Sequence, residues 1–173
     1  EAMFITCMIF QFVVIIVLSC TNLHRNKPWN YILLVLFTLL LSYTLGVATS
    51  YYDTQTLLLA GGSTCLVTIG LTLYAFQTKY DFTGLGPYLL SLLLILLFMG
   101  VISIFYKNDV YNLVYSGIGA LIFSFYIVYD TQLIIGGKSK RYKYADEDYI
   151  FAALSLYLDI INLFMYILDF FKN

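Results

Sequence analysis

Residues 87–106 read Pro-Tyr-Leu-Leu-Ser-Leu-Leu-Leu-Ile-Leu-Leu-Phe-Met-Gly-Val-Ile-Ser-Ile-Phe-Tyr, a run without a single charge. At 1.5 Å per residue, a helix of this length covers about 30 Å, the thickness of a bilayer's hydrocarbon core. Pro87 suits the first helical turn, where its missing N–H is not needed. Working outward, five more runs share this character. Ala2–Cys20, Tyr31–Thr49 and Thr56–Phe76 precede it, and Tyr111–Ile135 and Tyr149–Phe171 follow. None alternates apolar with polar residues as a barrel strand would. The fold expected is all-α: a polytopic membrane protein with six transmembrane helices in one domain over residues 1–173.

Composition agrees. Of the 173 residues, 61% are hydrophobic and 11% charged, and mean hydropathy is +0.86. Soluble domains are about half apolar and about a quarter charged, so a soluble domain and a disordered chain are excluded. Nine basic against ten acidic residues give a net charge of −1. That leaves no basic field for a phosphate backbone, and no nucleic-acid partner is expected. One histidine, His24, is too few for most zinc or haem sites. No resident cofactor is expected. Cys7, Cys20 and Cys65 lie in apolar runs without metal-ligand spacing and are expected to be buried, reduced thiols.

The connectors give a topology. Alternate ones hold Arg25 and Lys27, then Lys79, then Lys138, Lys140, Arg141 and Lys143, while the opposite set and the tail hold Lys107 and Lys172. By the positive-inside rule the first set is cytoplasmic, so both ends of the chain face outside or a lumen. The sequence opens on Glu1, without a methionine and almost directly in a span, so an upstream segment is expected to be missing. Asp146, Glu147 and Asp148 suit the positive end of the last helix's dipole. Gly61, Gly62 and Ser63 are expected to be close-packing positions in the third span.

Eight of the ten acids are terminal, in connectors, at a helix start or near an interface. Asp130 and Asp159 lie inside apolar runs. A carboxylate at the bilayer centre costs at least about 2.5 kcal/mol and by default marks a functional site. Ser155, Asp159, Asn162 and Tyr166, spaced four, three and four apart, share one helix face. Ser116, Gly119, Phe123, Tyr126 and Asp130 form a similar face on the fifth span, with small residues where another helix can approach. Two carboxyls held together out of water tend to share one proton, so the pair answers to pH. When ionised, it offers hard oxygens for transient contact with Ca²⁺. Ser155, Asn162, Tyr126 and Tyr166 are the pore-lining candidates. Depth is awkward: Asp130 lies about 9 Å from Gly136, and Asp159 about 16 Å from Asp148.

The run Ile127-Val128-Tyr129-Asp130-Thr131-Gln132-Leu133-Ile134-Ile135-Gly136-Gly137, with Leu156-Tyr157-Leu158-Asp159-Ile160-Ile161-Asn162-Leu163-Phe164, closely resembles the transmembrane Bax-inhibitor-motif family, Lifeguard branch. Leu71–Lys79, Asp81-Phe82-Thr83 and Asn30–Leu34 extend the likeness over essentially the whole chain. The resemblance implies seven helices with the last one central, of which the first is absent here. It implies a pH-sensitive calcium leak channel of the endoplasmic reticulum or Golgi that lowers stored calcium and restrains cell death. Ca²⁺ is then the permeant ion, Asp130 and Asp159 the pH-sensing pair, and Arg25 or His24 a basic latch onto that pair. Ala145-Asp146-Glu147-Asp148-Tyr149 departs from the family's Ser-Pro-Glu-Glu-Tyr.

Other readings fit less well. An intramembrane aspartyl protease would need Gly-x-Gly-Asp around its second acid, and Tyr157-Leu158 precede Asp159 instead. No enzyme is expected. Tyr51-Tyr52-Asp53-Thr54-Gln55 echoes Tyr129–Gln132, but four residues are thin support for a transporter repeat. The stronger alternative is a non-conducting membrane protein that modulates apoptosis regulators or calcium-release channels.

Overall fold

The computed structural model describes residues 2–21, 25–136 and 143–172. Among them there are six α-helices and no strand. They are α1 (Ala2–Cys20), α2 (Trp29–Thr49), α3 (Thr54–Gln77), α4 (Gly86–Phe105), α5 (Asp109–Ile135) and α6 (Tyr149–Lys172). All six are long and apolar enough to cross a membrane. The helix bounds depart from the apolar runs by no more than two residues at either end, and at the start of α5 a polar residue serves as cap. Asn108 precedes α5 and its side chain accepts the Tyr111 N–H at 3.1 Å. Asp109 joins the first turn. A 3-10 turn of Asp146, Glu147 and Asp148 leads into α6, as their charge suits.

The chain exterior is apolar. Met3, Phe12, Leu39, Leu58, Leu66, Phe98 and Phe105 are all exposed, which lipid tolerates and water would not. Polar residues inside the helices satisfy themselves locally. The hydroxyls of Thr38, Ser42, Thr64 and Ser124 donate to the carbonyl four residues back, at 2.7–2.8 Å. These four hydroxyls are thereby satisfied without a partner on another helix, whereas those of Thr68 and Thr131 are buried with no hydrogen-bond partner among the described residues.

The chain divides into two compact units. Unit 1 comprises residues 1–53 and 145–154. There α1 packs on α2, with Val14, Leu18, Phe37 and Leu41 buried and Thr44 donating to Gln11 Oε1 at 3.2 Å. Unit 2 comprises residues 54–144 and 155–173, and in it α5 packs against both α3 and α4. Its core is Leu96, Ile122, Phe123, Ile127 and Leu163. The first six residues of α6 belong to unit 1 and the remainder to unit 2.

Two expectations change, and one reading already set aside finds no support. Apart from the adjoining backbone of α3 itself, no atom of the described residues lies within 4 Å of a Cβ placed on Gly61 or Gly62, so these are not close-packing positions. Cys20 and Cys65 are exposed and Cys7 half-buried, although all three are free thiols; membrane-embedded cysteines face lipid as readily as protein. Tyr51–Asp53 lie between helices and Tyr129–Gln132 lie inside α5, so the echo between them is not a structural repeat.

Candidate functional site

Each residue of the Tyr-Asp-Thr-Gln run has its own surroundings. The Tyr129 hydroxyl occupies the space over Gly86, where a Cβ would fall 2.8 Å from its oxygen. Asp130 is buried, 6% exposed. Thr131 is buried too, and its hydroxyl has no hydrogen-bond partner among the described residues. Gln132 turns to backbone. Its Oε1 accepts the Phe82 N–H at 2.7 Å, and its Nε2 donates to the carbonyls of Tyr80 at 3.0 Å and Ala75 at 3.4 Å. One amide side chain thus satisfies the irregular backbone that joins α3 to α4, which hydrocarbon could not.

The carboxyls of Asp130 on α5 and Asp159 on α6 are within hydrogen-bonding reach of each other. Asp159 is also 6% exposed, and its Oδ2 is buried without a hydrogen-bond partner among the described residues. The depths that looked mismatched in the sequence are reconciled by the return of the chain. The Tyr144 N–H donates to the Leu133 carbonyl at 3.1 Å, so the backbone is back at the level of α5's last turns before α6 begins. Counting from Asp148 therefore misjudges the depth of Asp159.

Tyr144 stands close enough to the pair to feel its charge. Its hydroxyl donates to Ser155 Oγ at 3.5 Å. Burial, followed by the negative charge of Asp130, pushes its phenol up to about 12. It therefore remains a protonated donor throughout the physiological range. Nothing in the sequence marks Tyr144, since it stands in a charged connector. Gln132 was readable only as part of a motif, with no hint of its backbone partners.

A cavity of about 320 Å³ opens beside Asp159 between α4, α5 and α6. Tyr126, Asn162, Tyr166, Leu96 and Phe123 line it with the acid. Three of the four pore-lining candidates therefore meet at one cavity. Ser155, the fourth, is instead engaged by Tyr144. Among the described residues, no three acidic, histidine or cysteine side chains cluster as a metal site.

Of the latch candidates, His24 lies outside the described residues, as do Lys138, Lys140 and Arg141 of the topology argument. Arg25 belongs to unit 1 and forms a two-pronged ion pair with Asp148. Beside it, the buried Asn30 donates to the Tyr149 hydroxyl at 3.1 Å, and that hydroxyl donates to Tyr31 at the same distance. These bonds fasten the start of α2 to the start of α6.

The family described as inhibitor of apoptosis-promoting Bax1 matches residues 1–173, the entire chain. The protein belongs to the Bax inhibitor family. Curated relatives of this Bax-inhibitor protein include human Protein lifeguard 3, 34% identical over 170 residues, covering 96% of the chain and 54% of the relative. Protein LIFEGUARD 4 of Arabidopsis thaliana is 40% identical over 153 residues, covering 86% and 60%. The Golgi anti-apoptotic protein of vaccinia virus (strain Lister) is 41% identical over 149 residues, again covering 86% and 60%. The chain thus spans little more than half the length of these relatives. Bax-inhibitor membership and the six apolar helices make it an integral membrane protein of a family with anti-apoptotic members.

Proposed function

We propose that the protein is a pH-sensitive calcium leak channel of an intracellular membrane, the endoplasmic reticulum or Golgi, with its basic connectors in the cytoplasm. Protonation of Asp130 and Asp159 controls its gate, and by lowering stored calcium it restrains cell death. The observation that carries this reading is the pair of buried carboxyls within reach of each other, with Asp159 Oδ2 unpartnered among the described residues beside a cavity. A buried acceptor without a donor is costly. A proton or a passing cation would satisfy it.

Calcium takes six to eight oxygens in its resident sites. Two carboxyls, with no third acidic, histidine or cysteine side chain clustered beside them among the described residues, suit passage better than storage. The resemblance directs the latch at Asp130 and Asp159, whereas the contact that Arg25 makes is with Asp148, just before α6; the latch role proposed here is to hold that residue.

The test is dye-reported Ca²⁺ efflux from proteoliposomes of the full-length protein, followed from about pH 5 to pH 8. Asp130→Asn, Asp159→Asn and the double variant are expected to flatten the pH dependence. Unchanged pH dependence in the double variant overturns the proton gate. No efflux from the parent at any pH favours the second reading, a non-conducting partner of apoptosis regulators or calcium-release channels. The name of the viral relative supports that reading equally.

A further inference from the structure

The face of α6 that carries Asp159, Asn162 and Tyr166 continues at the same spacing to Asp169. A second cavity lies there, about 210 Å³, lined by Ser103, Asn112, Tyr115, Ser116, Asp169 and Lys172. Like the cavity beside Asp159, it is walled by α4, α5 and α6, and each side chain that lines it carries a polar group. A water occupies about 30 Å³ of liquid, so each cavity has room for several. Tyr115 lines one cavity and Tyr166 the other. Their hydroxyls are hydrogen-bonded at 3.0 Å, and their rings meet edge to face with centroids 5.5 Å apart.

Both rings are seated by the absence of a side chain. Tyr166 lies on Gly119, where a Cβ would fall inside the van der Waals envelope of the ring, and stacks on Phe123 at 5.6 Å and 21°. The Tyr115 hydroxyl lies over Gly100 of α4, where a Cβ would be 2.8 Å away. Two helices thus supply bare backbone where the tyrosines must reach each other. A hydrogen bond between two hydroxyls is also a partition that can open, because each can turn to water instead.

We propose that Tyr115 and Tyr166 form the partition of a two-station hydrophilic path for water and hydrated cations through unit 2, with the Asp159 cavity on one side and the Asp169 cavity on the other. The role in cation passage rests on the leak reading, whereas the partition itself concerns water access and is tested separately. Hydroxyls rather than carbonyl rings or acidic rings form this partition, so it delays hydrated cations without binding them tightly.

The experiment uses the full-length protein in oriented vesicles, with Cys7, Cys20 and Cys65 replaced by serine and Asn162→Cys as the reporter. A charged, membrane-impermeant methanethiosulfonate is applied from the Asp169 side, and separately from the opposite side. Tyr115→Phe and Tyr166→Phe each remove the same hydrogen bond, so each is expected to speed labelling from the Asp169 side about fivefold, the kinetic equivalent of one ordinary hydrogen bond. The double variant is expected to match the singles, because the two hydroxyls act as one unit. Gly100→Ala keeps both hydroxyls and displaces one, and should accelerate labelling likewise. It supplies the measurement if a phenylalanine variant fails to fold.

Unchanged labelling in all of these, or equal acceleration from both sides, overturns the partition. Accelerated labelling without Ca²⁺ efflux from any form upholds the partition and removes the leak reading. Efflux with labelling unaffected does the reverse.

Discussion

Arg25 donates Nε to one oxygen of Asp148 at 2.6 Å and Nη2 to the other at 3.0 Å, across 123 residues of chain. The fork needs the planar guanidinium, since a lysine ammonium offers a point charge without paired, fixed donors. Arg25→Ala and Asp148→Asn are each expected to raise basal Ca²⁺ efflux. Arg25→Lys should fall between them and the parent, and the charge swap Arg25→Asp with Asp148→Arg should restore part of the loss. Because the arginine is partly in water, about 1 M salt should bring the parent towards the alanine variant. Efflux indifferent to all four changes would remove the latch.

Gly119→Ala places a methyl inside the Tyr166 ring. Overpacking of this kind costs about 1–3 kcal/mol. Thermal unfolding in detergent should show that loss, and Tyr166→Leu in the same chain should recover much of it, a coupling expected only of residues in contact.

Gln132→Leu strips the Phe82 N–H and the Tyr80 carbonyl of their partner. An unsatisfied buried backbone group costs about 1–3 kcal/mol. Hydrogen exchange should rise at residues 80–86 and change little in α1 and α2. Gln132→Glu keeps the acceptor for Phe82 and loses the donor for Tyr80, so the Phe82 amide should be the better protected of the two variants.

Tyr144 bears on the alkaline limb of stability. Its phenol is raised to about 12 from an ordinary value of 10, so its contribution is complete below about pH 10 and is lost as pH rises through about 12. Discounted for the solvent that still reaches the ring, this amounts to about 1 kcal/mol. In unfolding scans from about pH 8 to pH 12, Tyr144→Phe should lose stability less steeply than the parent. Parallel curves would show that the ring is not covered.

The helices were legible because transmembrane length and hydropathy are written in consecutive residues. Asp130 and Asp159 were legible for the complementary reason, as charges in runs that exclude charge. What sequence could not supply was the path of the connectors. Tyr144 meets the pair only because the chain folds back along the end of α5. Arg25 was readable as a basic residue with a purpose, but Asp148 was read as a helix cap and not as its partner. Glycines misled in the same way. Gly61 and Gly62 look like packing positions and face open space, whereas Gly100 and Gly119 seat tyrosines that lie far off in the chain.

Gly136 acts as a ruler. The backbone there adopts φ +81°, a conformation that glycine accepts and other residues resist, and the Lys143 side chain lies 3.4 Å from where a Cβ would sit. The helix carrying Asp130 must therefore stop at Ile135, which fixes the acid about 7.5 Å from the end of its own rod. One further turn would move that end about 5.4 Å away. The depth of the charge in the bilayer is set by a residue that has no side chain.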